Sequence, residues 1–474
     1  MLHLDATRFQ NKSIRVADLF LKTEALELRG DALVSAKGWP QNAQITGTLA
    51  NADGSPVVLP IAGPETRIGS AEIEFDYDAL RGEGWVGAIE LEGFAREDMA
   101  LAALNVSGAG KLRSGGGDTI PSVGGRVVIS ADGIDLGDEP LNAAVGERIT
   151  GNLIFAKADN TPFRFTDVDI SGEDYGLTGD VTLRTEVEQL DLVSELDLRL
   201  EAERLARFAQ ISGQDLKGAA SLSIKGSVAV PDGPFDLEID GATQDLSVGI
   251  AQVDSLLAGE SRISIAADRN QQRTAINRLT IAGPGITASA MGELRTNGSS
   301  LDAQIELPDA SRLDERLSGR LALNATAVQV RDDWTVEATA TGPGGLDADI
   351  TGTGTIADGA IGPVQATLVA ALDSIAPYSG LAGTDLGGAV DLTASVDADL
   401  TTMAVALTGS LQGQNLSFRV GDTDQSFAGA SELVFDVSRD AAGALAADVT
   451  ARGPGGLIAD IEGTGAMVDG KIGP

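Results

Sequence analysis

Apolar and polar residues alternate with a period of two along most of this chain, and that period limits what it can fold into. Ala71, Ile73, Phe75 and Tyr77 alternate with Glu72, Glu74, Asp76 and Asp78. The same spacing holds for Leu190, Leu192, Ser194, Leu196, Leu198 and Leu200, and for Val390, Leu392, Ala394, Val396, Ala398 and Leu400. Phe235, Leu237 and Ile239 repeat it, as do Leu301, Ala303, Ile305 and Leu307. Side chains on a strand point to opposite faces in turn, so each run predicts a strand with one apolar and one wet face. The wet face is largely acidic, which accounts for much of the excess of 70 Asp+Glu over 34 Lys+Arg. Asp53-Gly54, Asp132-Gly133, Asp232-Gly233, Asp240-Gly241, Asn297-Gly298, Asp358-Gly359 and Asp469-Gly470 read as tight antiparallel turns, because these pairs tolerate positive φ. Helix candidates are short: residues 96–104, 205–210 and 254–257.

The formal net charge of −36 argues against nucleic acid as a partner, since phosphate neutralisation needs clustered Lys and Arg. A mean hydropathy of +0.05 is too high for a disordered acidic chain. Without cysteine there is no disulfide framework or thiolate metal site. With His3 as the single histidine, neither a Ser-His-Asp triad nor a multi-histidine metal centre can be built. No apolar stretch reaches the roughly 20 residues of a membrane span, and charges interrupt the N-terminal run where a signal peptide would need an apolar core. Gly108-Ala109-Gly110-Lys111 lacks the first glycine and the hydroxyl residue of a phosphate loop. Asp132, Asp135 and Asp138 lack the spacing of a calcium loop. Arg204, Arg207, Lys217 and Lys225 read as ordinary charge balance, and Gly115-Gly116-Gly117-Asp118 as an isolated loop. The expectation is a protein with no catalytic constellation and no cofactor.

The alternation is organised into repeats. The segment 342–363, which opens Gly342-Pro343-Gly344-Gly345-Leu346, returns at 453–474 with 16 of 22 positions identical. A longer register of 170 residues relates Gly213, Asp215, Leu216 and Gly218 to Gly383, Asp385, Leu386 and Gly388, and Gly283-Pro284-Gly285 to Gly453-Pro454-Gly455. The chain accordingly divides into a β-rich region 1–200 without a clear internal copy, a first module 201–370 and a second module 371–474. Repetition with one wet face predicts an all-β, elongated and curled antiparallel sheet with a solenoid-like groove and a few short helices. Propeller signatures and the nine-residue calcium-binding repeat are both absent from the sequence.

Two motifs carry a family resemblance. One is Gly342-Pro343-Gly344-Gly345-Leu346 followed by a strand and an Asp-Gly turn. The other is the stretch from Leu205-Ala206-Arg207-Phe208 to Asp215-Leu216-Lys217-Gly218, with its copy from Ile375-Ala376-Pro377-Tyr378 to Asp385-Leu386-Gly387-Gly388. Together they resemble the interior of TamB-type translocation and assembly proteins of the AsmA-like superfamily, over roughly residues 95–474. The resemblance implies a taco-shaped β-sheet whose hydrophobic groove carries phospholipid acyl chains between inner and outer membranes, or assists outer-membrane protein assembly and secretion. It implies a periplasmic location, an inner-membrane anchor helix and a C-terminal domain that engages an Omp85-type barrel. Both ends of that pattern lie outside this chain, which therefore reads as an internal fragment. Ile73, Phe75, Leu237, Ile239, Ile305, Leu392 and Val396 are the expected groove wall. A secreted or surface β-solenoid adhesin is the alternative.

Overall fold

The computed structural model describes the chain except residues 60, 62, 114–119, 187–190, 231–232, 297, 358–359, 400, 421–422, 469–470 and 474. The protein is 69% strand and 9% helix, with open antiparallel pairing throughout. Spatial contacts divide it into two units, Met1–Gly249 and Ile250–Pro474.

Unit 1 contains β1 (Leu2–Arg8), β2 (Ile14–Lys22), β3 (Leu26–Val34), β4 (Pro40–Ala50), β5 (Val57–Leu59), β6 (Thr66–Ile68), β7 (Ser70–Asp78) and β8 (Gly84–Arg96). It continues with β9 (Met99–Arg113), β10 (Ser122–Asp135), β11 (Arg148–Ala158), β12 (Phe163–Ser171), β13 (Tyr175–Glu186), β14 (Asp191–Ala202), β15 (Lys217–Val230) and β16 (Phe235–Ser247). Each strand pairs with the next in sequence, except that β4 pairs with β7 and the β5–β6 hairpin joins the end of β8. Unit 2 contains β17 (Glu260–Arg269), β18 (Thr274–Ala282), β19 (Thr287–Leu294), β20 (Ser300–Leu307), β21 (Leu321–Val330), β22 (Asp333–Gly342) and β23 (Leu346–Ala357). It ends with β24 (Ala360–Leu372), β25 (Leu386–Asp399), β26 (Ala404–Val420), β27 (Thr423–Arg439), β28 (Ala444–Gly453), β29 (Leu457–Val468) and β30 (Lys471–Gly473), again paired in order. Connections this local are what the alternation and turn chemistry require.

The helices are α1 (Glu139–Val145), α2 (Ala209–Ser212), α3 (Ala251–Leu257) and α4 (Ser379–Ala382), with a few 3₁₀ turns. Asp138 caps α1 by accepting the Leu141 N–H at 2.9 Å, and Pro140 occupies its first turn. The expected helices at 205–210 and 254–257 are present as Leu205–Phe208 with α2, and within α3.

Three expectations are corrected. Residues 96–104 form the β8–β9 hairpin rather than a helix: Arg96 pairs with Met99 across Glu97, whose φ is 50°, and the alanine-rich run enters the ladder. Tertiary pairing overrides helix propensity there. Asp132-Gly133 is no turn, because Gly133, at φ 63°, lies inside β10 against Ala102, where a Cβ would approach within 2.4 Å. Asp240-Gly241 lies inside β16, paired with Ser223 and Leu222. Leu190, Leu400, Gly115 to Asp118, Asp232, Asn297, Asp358-Gly359 and Asp469-Gly470 lie outside the described residues.

The repeats are visible in the backbone. Gly213 and Gly383 take φ of 68° and 66°, Gly218 and Gly388 take 97° and 102°, and Asp245 and Asn415 take 52° and 53°. All three pairs are 170 residues apart, and matching bulges sit at Lys217/Ala219 and Gly387/Ala389. Asp and Asn are the non-glycine residues that tolerate this conformation best. The shorter repeat matches too, with Gly344 and Gly345 at 72° and Gly455 and Gly456 at 75° and 82°. The correspondence is interrupted at α3, whose counterpart residues 423–427 lie in β27, and resumes after it: Gly259 and Gly429 take φ of 95° and 113°, facing Pro284 and Pro454.

Candidate apolar binding face

Register converts alternation into continuous ladders. In unit 2 one ladder runs Ile263, Ile281, Ala288, Ile305, Leu323 and Ala340, then through Ala370, Leu392, Leu411 and Leu433 to Ala459. A second runs from Ile265 through Ala303, Ile350, Leu368 and Phe435 to Ile461, and a third contains Val336, Ala366, Val396 and Leu407. None of the three meets a polar side chain from β17 to β29. Ile305 and Leu392 therefore share one ladder, and Val396 lies on the same face.

Unit 1 builds the same kind of face. One ladder joins Ile73, Ile89, Val106 and Ile129 to Ile170, Leu177, Leu200 and Leu222. Another joins Tyr77, Trp85, Gly110, Gly125, Phe155 and Phe165 to Val181, Leu196, Gly226 and Leu237. Bulges keep the parity, as at Asp167 in β12, whose φ is 50°. Ile73, Phe75, Leu237 and Ile239 thus point to one face of the unit 1 sheet.

These faces are half-covered rather than sealed. Ile73 is 40% exposed and Ile305 36%, whereas small residues between large ones, such as Ala348, Ala370 and Ala394, are buried. The accessible surface is 28042 Å²; two compact bodies of half this mass would together expose only about 20,000 Å². The excess is what single-layer sheets leave uncovered.

A local specialisation that the alternation does not reveal lies between β7 and β12. Trp85 lies over a bed of glycines: added Cβ atoms would meet its ring at 2.9 Å from Gly108 and 2.4 Å from Gly125. Its indole N–H donates to the Gly124 carbonyl at 3.1 Å. The ring spans two strands and reaches Phe155 at 5.9 Å between centroids, continuing to Phe163 at 6.1 Å and Phe165 at 4.8 Å, with Phe75 on the other side at 6.4 Å. Trp85, Gly110, Gly125 and Phe155 occupy four different strands, so no local sequence signal joins them.

The charged candidates resolve into structural roles. Arg207, side chain 8% exposed, pairs with Asp174, side chain 6% exposed, and donates to the Ala144 carbonyl at 2.9 Å, capping the C-terminal end of α1. It also stacks 5.0 Å from the Tyr175 ring centroid, and Tyr175 donates to the Val145 carbonyl at 3.1 Å. Burial opposes ionisation of Asp174, but Arg204 at 2.5 Å and Arg207 outweigh it and hold the carboxyl below its ordinary pKa. Burial pushes the Tyr175 phenol up. Beneath this clamp Ala202, Leu205 and Ala220 form a small core with Phe208, Leu216 and Leu246. Lys217 and Lys225 pair with Asp215 and Asp197. Asp135 accepts from the Gly137 N–H at 3.0 Å and the Asn142 amide at 2.7 Å, which lowers its pKa; Asp132 pairs with Arg148. His3 lines a cavity of about 1020 Å³ on the polar face of β1–β8, with Phe20, Arg29, Thr46 and Glu74.

No protein-family model matches the sequence, and no curated protein does.

Proposed function

We propose that this chain is a section of a lipid-carrying scaffold, in which one apolar sheet face shelters phospholipid acyl chains while the acidic face stays in water. The observation that carries the reading is the set of unit 2 ladders, apolar from β17 to β29 with no second layer required by their register. Acyl chains suit such a surface because they need continuous apolar contact and no directional bond, each methylene contributing about 0.8 kcal/mol. In this reading the chain works in the periplasm as part of a TamB-type bridge that is held at the inner membrane and engages an Omp85-type barrel. Phospholipid transport and outer-membrane protein assembly both use that geometry.

Val396→Arg tests the reading. A guanidinium on the third ladder interrupts apolar contact, and desolvating it costs several kcal/mol. Phospholipid recovered with the purified variant should fall well below wild type while the circular dichroism spectrum stays unchanged. Undiminished lipid with a retained fold, or no lipid in either protein, contradicts the reading.

A further inference from the structure

In a chain of net charge −36, one cavity sets four cationic residues and no acidic one around a floor of small and apolar residues. It measures about 610 Å³ and is built from the ends of β9, β10, β11 and β12, with Lys111, Arg113 and Arg164 around it and Thr161 and Pro162 at one end. Register explains its form. Lys111 pairs with Gly124, Gly124 with Ala156, and Ala156 with Arg164, so the two cations stand at either side of a floor two small residues wide. The next row repeats the arrangement with Arg113, Ser122 and Ala158. Three strand spacings separate the Lys111 and Arg164 backbones by about 14 Å, a width that two long side chains close over a tetrahedral anion between them.

Gly124 keeps the floor low, since a Cβ there would meet the Phe155 carbonyl oxygen at 2.9 Å. Arg113 is paired with Glu83 at 3.3 Å, whereas Lys111 and Arg164 make no ion pair among the described residues. Lys157 is occupied with the Thr161 carbonyl. Two cations of different type, one a planar fork and one a point charge, and neither in an ion pair among the described residues, match a doubly charged anion with several acceptor oxygens better than a singly charged carboxylate, which would neutralise only one of them. These side chains belong to the polar face, on the opposite parity from the ladder of Trp85 and Phe155.

We propose that this trench binds a phosphomonoester. The site is independent of the acyl-chain reading, because it lies on the polar face of the unit 1 strands and shares no residue with the ladders that carry that reading. Its ligand is either the headgroup of a phosphorylated lipid or a free soluble phosphate ester, and the two differ in the alcohol esterified to the phosphate.

The test is isothermal calorimetry on the whole chain with three probes: inorganic phosphate, glycerol 3-phosphate and dihexanoyl phosphatidate below its micelle concentration. The variant Lys111→Gln/Arg164→Gln is compared with Lys37→Gln/Arg331→Gln, which removes the same charge from exposed positions elsewhere. Loss of two charge-assisted contacts should weaken phosphate-ester binding at least about tenfold in the first variant, and less than about twofold in the second. Phosphatidate binding much more tightly than glycerol 3-phosphate identifies a lipid headgroup; equal affinities identify a soluble ester. Equal loss in both variants, or no binding of any probe to the wild type, overturns the site. Lipid recovery with Val396→Arg is unaffected by either result, so failure here is distinguishable from failure of the acyl-chain reading.

Discussion

Across β8 to β11 a single tryptophan covers two strands of glycine, whereas across β22 to β25 the same width of sheet is tiled by Ala338, Ile350, Leu368 and Ala394. In the first region the apolar surface is one large ring on bare backbone, and its contacts depend on glycine at every position beneath it. In the second, each strand supplies its own modest side chain, and no residue depends on a particular neighbour for room. The tiled region should therefore accept substitutions that the glycine-bedded region cannot.

The same mutation made in both regions is the sharpest test. At Gly110 an added Cβ would come within 2.0 Å of the Gly124 carbonyl oxygen and 2.7 Å of the Trp85 indole nitrogen. Gly110→Ala should cost about 3 kcal/mol, read as a fall in the urea midpoint of unit 1. At Gly352 the Cβ would meet nothing closer than 3.5 Å, so Gly352→Ala should leave unit 2 unchanged or stabilise it by about 0.5 kcal/mol. Equal destabilisation by both changes breaks the comparison.

The clamp beside α1 supplies the next effect. Arg207→Met removes one of the two guanidinium partners of a buried carboxylate and leaves Arg204 in place, which should cost about 2.5 kcal/mol at neutral pH. The folded-state pKa of Asp174 is depressed, so its contribution is complete above the unfolded value of about 4 and is lost as pH falls through the lower folded value. The gap between wild type and variant should narrow below about pH 4; a gap constant with pH shows that packing, not charge, holds the clamp.

A smaller effect separates the two regions by their aromatic residues. Trp85→Leu uncovers Gly110 and Gly125 and breaks the stack to Phe155, for a cost of about 2 kcal/mol. Trp334 in β22, which pairs with Gly354 of β23 and carries no ring stack to another described residue, should cost about 1 kcal/mol as Leu. Reversal of that order contradicts the role assigned to the glycine bed.

Alternation assigns each residue a face within its own strand, but only register and its bulges join those faces into ladders; the repeated glycines mark where the chain must enter the left-handed region, as at Gly213 and Gly383. The Asp-Gly pairs were ambiguous for a physical reason. Positive φ serves a turn at Gly54 and a bulge at Gly133, while Gly241 is needed because Ser221 and Leu222 approach too closely for a side chain. A dipeptide cannot distinguish these cases. The Trp85 bed and the Lys111–Arg164 trench were illegible in sequence, since each joins residues on several strands through register alone. The clamp was half legible: Arg204 and Arg207 stand out as basic, but Asp174 meets them only after β13 and β14 have paired.

In the proposed reading, the apolar ladder face of unit 2 meets acyl chains and the opposite face does not. Leu392 and Thr393 are adjacent in β25 and point to opposite faces, with Leu392 paired to Leu411 and Thr393 to Ser410. A photo-crosslinking residue at each position, irradiated with phospholipid carrying labelled acyl chains, compares the two faces one residue apart. Labelling at 392 with little at 393, repeated at Ile305 against Gln304, is the predicted result. Equal labelling at both positions, or labelling confined to Thr393 and Gln304, would contradict it.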